Sequence, residues 1–293
     1  PASPTRARFS LVVGGPFHSL LTRLGAMGPD GLPVPWTAVA LAAFAWSVPA
    51  IAVVAEAILG PDDDVWVYLT DATVLARFLV AVSVLVATER YADGRFEILI
   101  REFRATRIVA DEHDREFIEA LEGADRRSSS ALAEALIGVL AFAASGWGTR
   151  VAASLAVGGW EGSLVDGQVV MSWAGLASSV VSGPLFFFLL LRWGWRFVVW
   201  TLLLFRLSRL PLDLIPLHPD RCGGLGFLSI YPSIFTGFVF ALSSVVAVTV
   251  LKELRFVDLS TSQIQSMLGL WLGTVALLFL GPVAVFVPLL RRA

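Results

Sequence analysis

Apolar residues run along this chain in six long stretches, 36–59, 65–88, 131–157, 169–191, 230–251 and 267–290. Each is long enough for an α-helix to cross a hydrocarbon core of roughly 30 Å, which takes about 20 residues. The pattern predicts an all-α polytopic membrane protein with six transmembrane helices. Between the stretches lie an N-terminal segment (1–35), a charged region (89–130) and a Pro/Gly-rich connection (192–229). Residues 1–35 hold no sustained apolar run, so no cleavable signal peptide is expected there.

Charge sets the expected orientation. Of the 22 basic residues, three lie in the N-terminal segment, eight between stretches two and three, five between four and five, and two at the C-terminus. Only Lys252 and Arg255 fall on the other side, so both termini are expected in the cytoplasm. Trp36, Trp193 and Trp195 fall near the predicted inner boundary, and Trp66, Trp160, Trp173 and Trp271 near the outer one, as an aromatic belt would. Region 89–130 carries 11 acids and spacings such as Glu97/Arg101 and Arg115/Glu119, which predict spans two and three continuing as a cytoplasmic helical pair. The run Phe197–Phe205 is apolar all round, so either span four extends inward within a bundle or Gly194 bends the chain into an interfacial helix.

Composition narrows the function classes. The chain is 56% hydrophobic and 16% charged with a mean hydropathy of +0.76, which excludes an ordinary soluble enzyme. A net charge of -2 gives no footing for nucleic acid. The single cysteine, Cys222, excludes a disulfide framework or a multi-cysteine metal centre, and no histidine lies in a span to ligate haem. No Walker, HExxH or supported GxSxG motif occurs, and no cofactor, metal or enzymatic activity is expected.

The candidate chemistry centres on Arg77, placed near the bilayer midplane in span two. A central arginine costs about 2.5–3.5 kcal/mol on insertion scales, so such residues face a partner or a wet cavity. Arg77 is either neutralised by a passing anion or held by Asp71, Glu134 or backbone carbonyls. Ser178, Ser179 and Ser182 in span four and Ser243 and Ser244 in span five are candidate pathway residues, and SSVV recurs in both spans. Close helix packing is the plainer reading of these serines. Pro49, Pro184, Pro282 and Pro288 predict breaks or kinks. Asp62, Asp63, Asp64, Glu56 and Asp71 would line an outer vestibule, and Arg150 is expected to pair with Glu56 or Asp71.

The most distinctive string is 210–228, LPLDLIPLHPDRCGGLGFL, whose prolines forbid a helix and whose glycines permit a tight turn. It reads as a rigid elbow capped by Asp220. Alternatively it is a gating or anion-contact loop of His218, Asp220, Arg221, Gly223 and Gly224, or, least of all, a catalytic set of His218, Asp220 and Cys222. The expected protein is a homo-oligomeric ion channel or facilitated pathway of a bacterial inner membrane, favouring a small inorganic anion and embedded in the lipid bilayer. The alternative is a non-conducting sensor or scaffold that docks a soluble partner through its cytoplasmic loops.

Overall fold

A computed structural model describes residues 9–60, 65–106, 108–154, 159–166, 168–214, 218–256 and 260–290. A short helix, Gly15–Arg23 (α1), precedes the first long one, Pro35–Leu59 (α2). The second span begins in pieces. Val65–Thr70 (α3) stops at Asp71, whose carboxylate accepts the Thr73 N–H at 2.7 Å and restarts the helix as Ala72–Ala105 (α4). Next come Asp114–Ser128 (α5) and Ala131–Ser154 (α6). A β-hairpin of Gly162–Val165 (β1) and Gln168–Met171 (β2) leads into Trp173–Leu207 (α7). The chain ends with Tyr231–Ile234 (α8), Thr236–Phe256 (α9), Thr261–Ala284 (α10) and Val287–Leu290 (α11).

Five of these helices are long and apolar enough to cross a membrane, and a sixth if Gly226–Ile234 and Thr236–Lys252, bent by 41°, count as one span. The architecture is mostly helical, with three departures from the sequence reading. Span four begins at Trp173 rather than 169, because 168–171 pairs with 162–165 as a hairpin. Span five is broken near Phe235. Span two continues to Ala105 as expected, whereas α5 is separated from α6 at Ser129–Ser130 and lies back along α7.

α4 and α7 form the centre. They are 44% and 50% buried over their apolar windows, against 11% for α10. At about 1.5 Å per residue both are roughly 50 Å long, well beyond a hydrocarbon core of about 30 Å. α7 therefore runs on unbroken through Gly194 instead of turning there into a separate helix. Its residues Val199, Trp200, Leu203, Leu204 and Leu207 are buried against α4, α5 and the chain around α8. Phe96 and Trp200 rings meet at 4.8 Å, and Phe103 and Phe227 at 4.8 Å. Each fully buried phenylalanine contributes about 1.5–3 kcal/mol, so this aromatic core holds the arginine-rich end together without lipid.

Two of the expected belt tryptophans are core residues. Trp193 is fully buried and donates to the Leu85 carbonyl at 2.9 Å; Trp160 is 2% exposed and donates to Asp71 at 3.1 Å. A buried indole N–H needs a partner, and these two find one inside the bundle. Trp36, Trp66 and Trp173 are exposed at helix ends.

Both α4 and α7 carry a π-helical stretch, Leu75–Ala81 and Ser178–Ser182. In the second, π spacing would ask residue 184 to donate to the Ser179 carbonyl, and Pro184 has no N–H to give. The Ser145 hydroxyl of α6 donates there instead, at 3.0 Å, where Gly183 lets the helices meet closely. Ser145→Ala is expected to cost about 1–3 kcal/mol by stranding that carbonyl, measured as a lower thermal midpoint of the purified protein. The two SSVV strings thus differ in structure: Ser178–Ser182 is π-helical, while Ser243 and Ser244 sit in regular α9.

Candidate functional site

Three polar groupings interrupt the apolar bundle. The first lies between α4 and α7. Arg77, on the π stretch of α4, places its guanidinium over the Phe186 ring of α7, 5.9 Å from the centroid, and its Nε is buried without a hydrogen-bond partner. Among the described residues six further buried polar atoms lack partners: Trp46 Nε1 of α2, Thr73 Oγ1 and Arg104 Nε of α4, and Ser182 Oγ, Arg196 Nη1 and Trp200 Nε1 of α7. A buried polar group left unpaired costs about 1–3 kcal/mol, so each of these atoms marks a place for water or a ligand. Each of these atoms can donate a hydrogen bond. Ser178 and Ser179 are buried beside Ser182, and Ser179 Oγ donates to the Leu176 carbonyl at 2.8 Å. Ser243 and Ser244 lie on α9, the helix packed most extensively against the Arg77 segment; Ser244 Oγ donates to the Ala241 carbonyl at 2.7 Å.

The second grouping caps the outer end of the bundle, the end opposite the arginine-rich side. Asp71 accepts from Lys252 Nζ of α9 at 3.1 Å and from the Trp160 indole at 3.1 Å. Glu161, in the turn before β1, feels the charges of Arg77, Lys252 and Asp71. Burial pushes its carboxyl up to about 7, with Arg77 and Lys252 pulling against that rise and Asp71 adding to it. Glu56 accepts from the Trp173 and Ala174 amides, at 2.6 and 3.4 Å, at the start of α7. A groove of about 850 Å³ between the end of α2 and the hairpin is lined by Glu56, Gly60, Ser163 and Trp173 among others.

Arg150 does not take the expected role. It is exposed, while Glu56 is engaged by backbone amides and Asp71 by Lys252. Asp62, Asp63 and Asp64 lie outside the described residues. Glu161 is absent from the sequence reading because it falls in a loop, and only depth reveals its importance.

The third grouping is at the arginine-rich end. Arg192 of α7 pairs with Glu89 of α4 at 3.0 Å and Glu134 of α6 at 3.2 Å; Arg196 pairs with Glu89 at 2.8 Å. All four side chains are under 10% exposed. Asp93, equally buried, accepts from Ser10. The N-terminal strand of chain is tied in: Glu134 accepts the Phe17 amide at 2.9 Å, and the Val12 carbonyl accepts from Arg192 and Arg196 at 3.5 and 3.4 Å. Glu134 is thus committed to Arg192 and is not the counter-ion of Arg77. The sequence signal for this network is a matched pair of i,i+4 couples, Glu89/Asp93 and Arg192/Arg196, at one depth on two spans.

The loop before α8 is an elbow closed on itself. Asp220 accepts the amides of Cys222, Gly224 and Gly226 at 2.8, 3.1 and 2.8 Å, with His218 Nδ1 at 2.8 Å. Burial pushes its carboxyl up, but these donors outweigh it and hold the group well below the usual carboxylate range. Gly223 and Gly224 take φ of 64° and 97°, and Arg221 is turned to 56°. The amides that an external anion would use therefore point at Asp220. His218, Asp220 and Cys222 lie on a turn rather than along one face of a strand, and no metal-binding group of three or more His, Cys, Asp or Glu occurs among the described residues. Asp220→Ala is expected to speed amide exchange at Cys222, Gly224 and Gly226, and Asp220→Asn to do so less, read by hydrogen–deuterium exchange.

The length and apolarity of its helices define the chain as a helical, multi-pass membrane protein. Comparison with known proteins finds no matching family model, no similar curated protein and no matching solved structure.

Proposed function

We propose that the protein is a membrane permeation pathway for a small inorganic anion, working as a homo-oligomer, with Arg77 lining the route. The observation that carries this reading is Arg77 in an apolar span, its guanidinium over the Phe186 ring and its Nε buried without a hydrogen-bond partner, with Ser182 Oγ on the neighbouring α7 also unpartnered. A cation needs acceptors; this pair offers a permanent positive charge and a further donor. Asp71 is held by Lys252 and Glu134 by Arg192, which leaves Glu161, in the turn before β1, as the carboxylate whose charge meets that of Arg77. The apolar, largely exposed face of α10 supports a second copy or lipid against it. The arginine-rich end would lie in the cytoplasm of a bacterial cell.

A second reading, a non-conducting sensor or scaffold, is favoured by the buried Glu89–Arg192–Glu134–Arg196 network, which fills that end of the bundle with paired charges. Purified protein in liposomes with separate chloride and potassium gradients separates the two. The channel reading expects chloride flux above empty liposomes, with little potassium flux. Tight liposomes containing folded protein would reverse the choice.

A further inference from the structure

On the arginine-rich side, a groove of about 570 Å³ lies where α5, α6 and α7 meet. Its polar wall is Arg126, Arg127 and Arg206 with Ser130, and no carboxylate lines it. Arg127 and Arg206 converge on one point: the position a Cβ at Gly123 would take is 3.2 Å from Arg127 Nη1 and 2.9 Å from Arg206 Nη1. The two cations therefore stand within about 6 Å of each other, repelling unless an anion sits between them. Arg127 Nη1 donates to the Gly123 carbonyl at 2.8 Å, a neutral acceptor. Of the carboxylates nearby, Glu122 pairs with Arg126 at the rim at 3.5 Å, while Glu119 and Glu116, which share an adjoining hollow with Arg126 and Arg206, pair with Arg115 at 3.0 Å and His113 at 2.6 Å.

The other wall is apolar. Leu132 and Leu136, on the first turns of α6, are 70% and 56% exposed, and Val139 and Leu140 continue the exposed face along the span. Trp195, which the sequence pattern puts near the inner boundary of span four, closes the side of the groove, its indole donating to the Arg127 carbonyl at 3.0 Å. Positive charge at headgroup level, continuous with an exposed apolar track into the hydrocarbon, is the chemistry that recognises an anionic lipid.

We propose that this groove binds one anionic phospholipid, its phosphate between Arg127 and Arg206 with Arg126 at the rim, and an acyl chain along Leu132 and Leu136. Guanidinium groups suit this task because they grip phosphate oxygens through paired N–H bonds. The site is independent of whether the protein conducts.

The test is lipid binding to the delipidated full-length protein in neutral detergent, followed by native mass spectrometry and by thermal stabilisation. Phosphatidylglycerol is expected to bind and raise the thermal midpoint, phosphatidylcholine to do neither at equal concentration, and inorganic phosphate alone to have no effect. Losing two charged contacts, Arg127→Gln/Arg206→Gln should bind phosphatidylglycerol roughly tenfold or more weakly, while Arg115→Gln on the exposed face of α5 should match wild type. Competition on wild-type protein needs no variant to fold: labelled phosphatidylglycerol should be displaced by unlabelled phosphatidylglycerol and not by phosphatidylcholine. Equal binding of the two lipids, or unchanged binding by the double variant, overturns the proposal. Equal stabilisation by inorganic phosphate overturns it too, making the free ion the ligand.

Discussion

Arg192→Leu is expected to destabilise the folded protein by about 3–5 kcal/mol, because it removes one partner of a buried ion network and strands the others. Arg192 serves Glu89 and Glu134 at 3.0 and 3.2 Å, reaches the Val12 carbonyl, and lies over the Phe17 ring at 5.1 Å. Glu89 would keep Arg196, but Glu134 would keep only the Phe17 amide. Arg192→Lys should recover part of the loss at most, since one ammonium cannot span two carboxylates as a guanidinium fork does. Pairing Arg192→Leu with Glu134→Gln should be less destabilised than the two single losses summed, because the stranded charge is gone. Thermal unfolding of the purified protein in detergent reads all three. A loss under about 1 kcal/mol for Arg192→Leu would show the network to be solvated rather than buried.

The second large effect concerns pH. With its carboxyl at about 7, Glu161 carries a proton below neutrality and a negative charge above it. Arg77, Lys252 and Asp71 are the charged groups that face it, and of these Arg77 and Lys252 are the cations. Ionised Glu161 offsets the positive field of Arg77 from the outer end, and neutral Glu161 leaves that field to an entering anion. Anion flux is therefore expected to be high on the acid side and to fall as pH rises through about 7. Stability runs in the same sense. The folded-state pKa lies above the unfolded 4.5, so the stabilising contribution is complete below that value and is lost as pH rises through about 7. Glu161→Gln should flatten both profiles between about pH 5 and about pH 9. A flux profile with the same midpoint in that variant would take Glu161 out of the account.

Much of the fold is legible in the sequence, because apolar runs of membrane-spanning length leave few alternatives. The elbow at 210–228 is legible too, since its prolines forbid helix and Asp220 stands at the right offset to collect the following amides. The hairpin at 162–171 was hidden by a longer signal. An Asp-Gly pair between short apolar runs is a sequence signal for a hairpin, and Asp166 sits at φ of 50°, but the second strand reads as the start of span four. Neither π stretch has a periodicity of its own. Pro184 marks one, whereas the other follows a restart at Asp71 that only the packing shows.

For the candidate site, depth is visible in sequence and direction is not. Arg77 announces itself by sitting in an apolar run, but the Phe186 ring beneath its guanidinium comes from another helix. Glu89, Asp93, Arg192 and Arg196 fall where apolar windows end, so a reading that stops each span at its first charge assigns them to water. The structure instead carries those spans onward and turns the four charges inward. The matched spacing on two helices was the available clue.

The central claim is that Arg77 faces the route of a permeating anion. Reversal potentials across a planar bilayer holding purified protein, under a chloride gradient, compare wild type with Arg77→Leu most directly. The account predicts a chloride-selective reversal potential for wild type and a marked loss of that selectivity in the variant, with the folded oligomer retained. A variant that folds, conducts and reverses at the wild-type potential would contradict it.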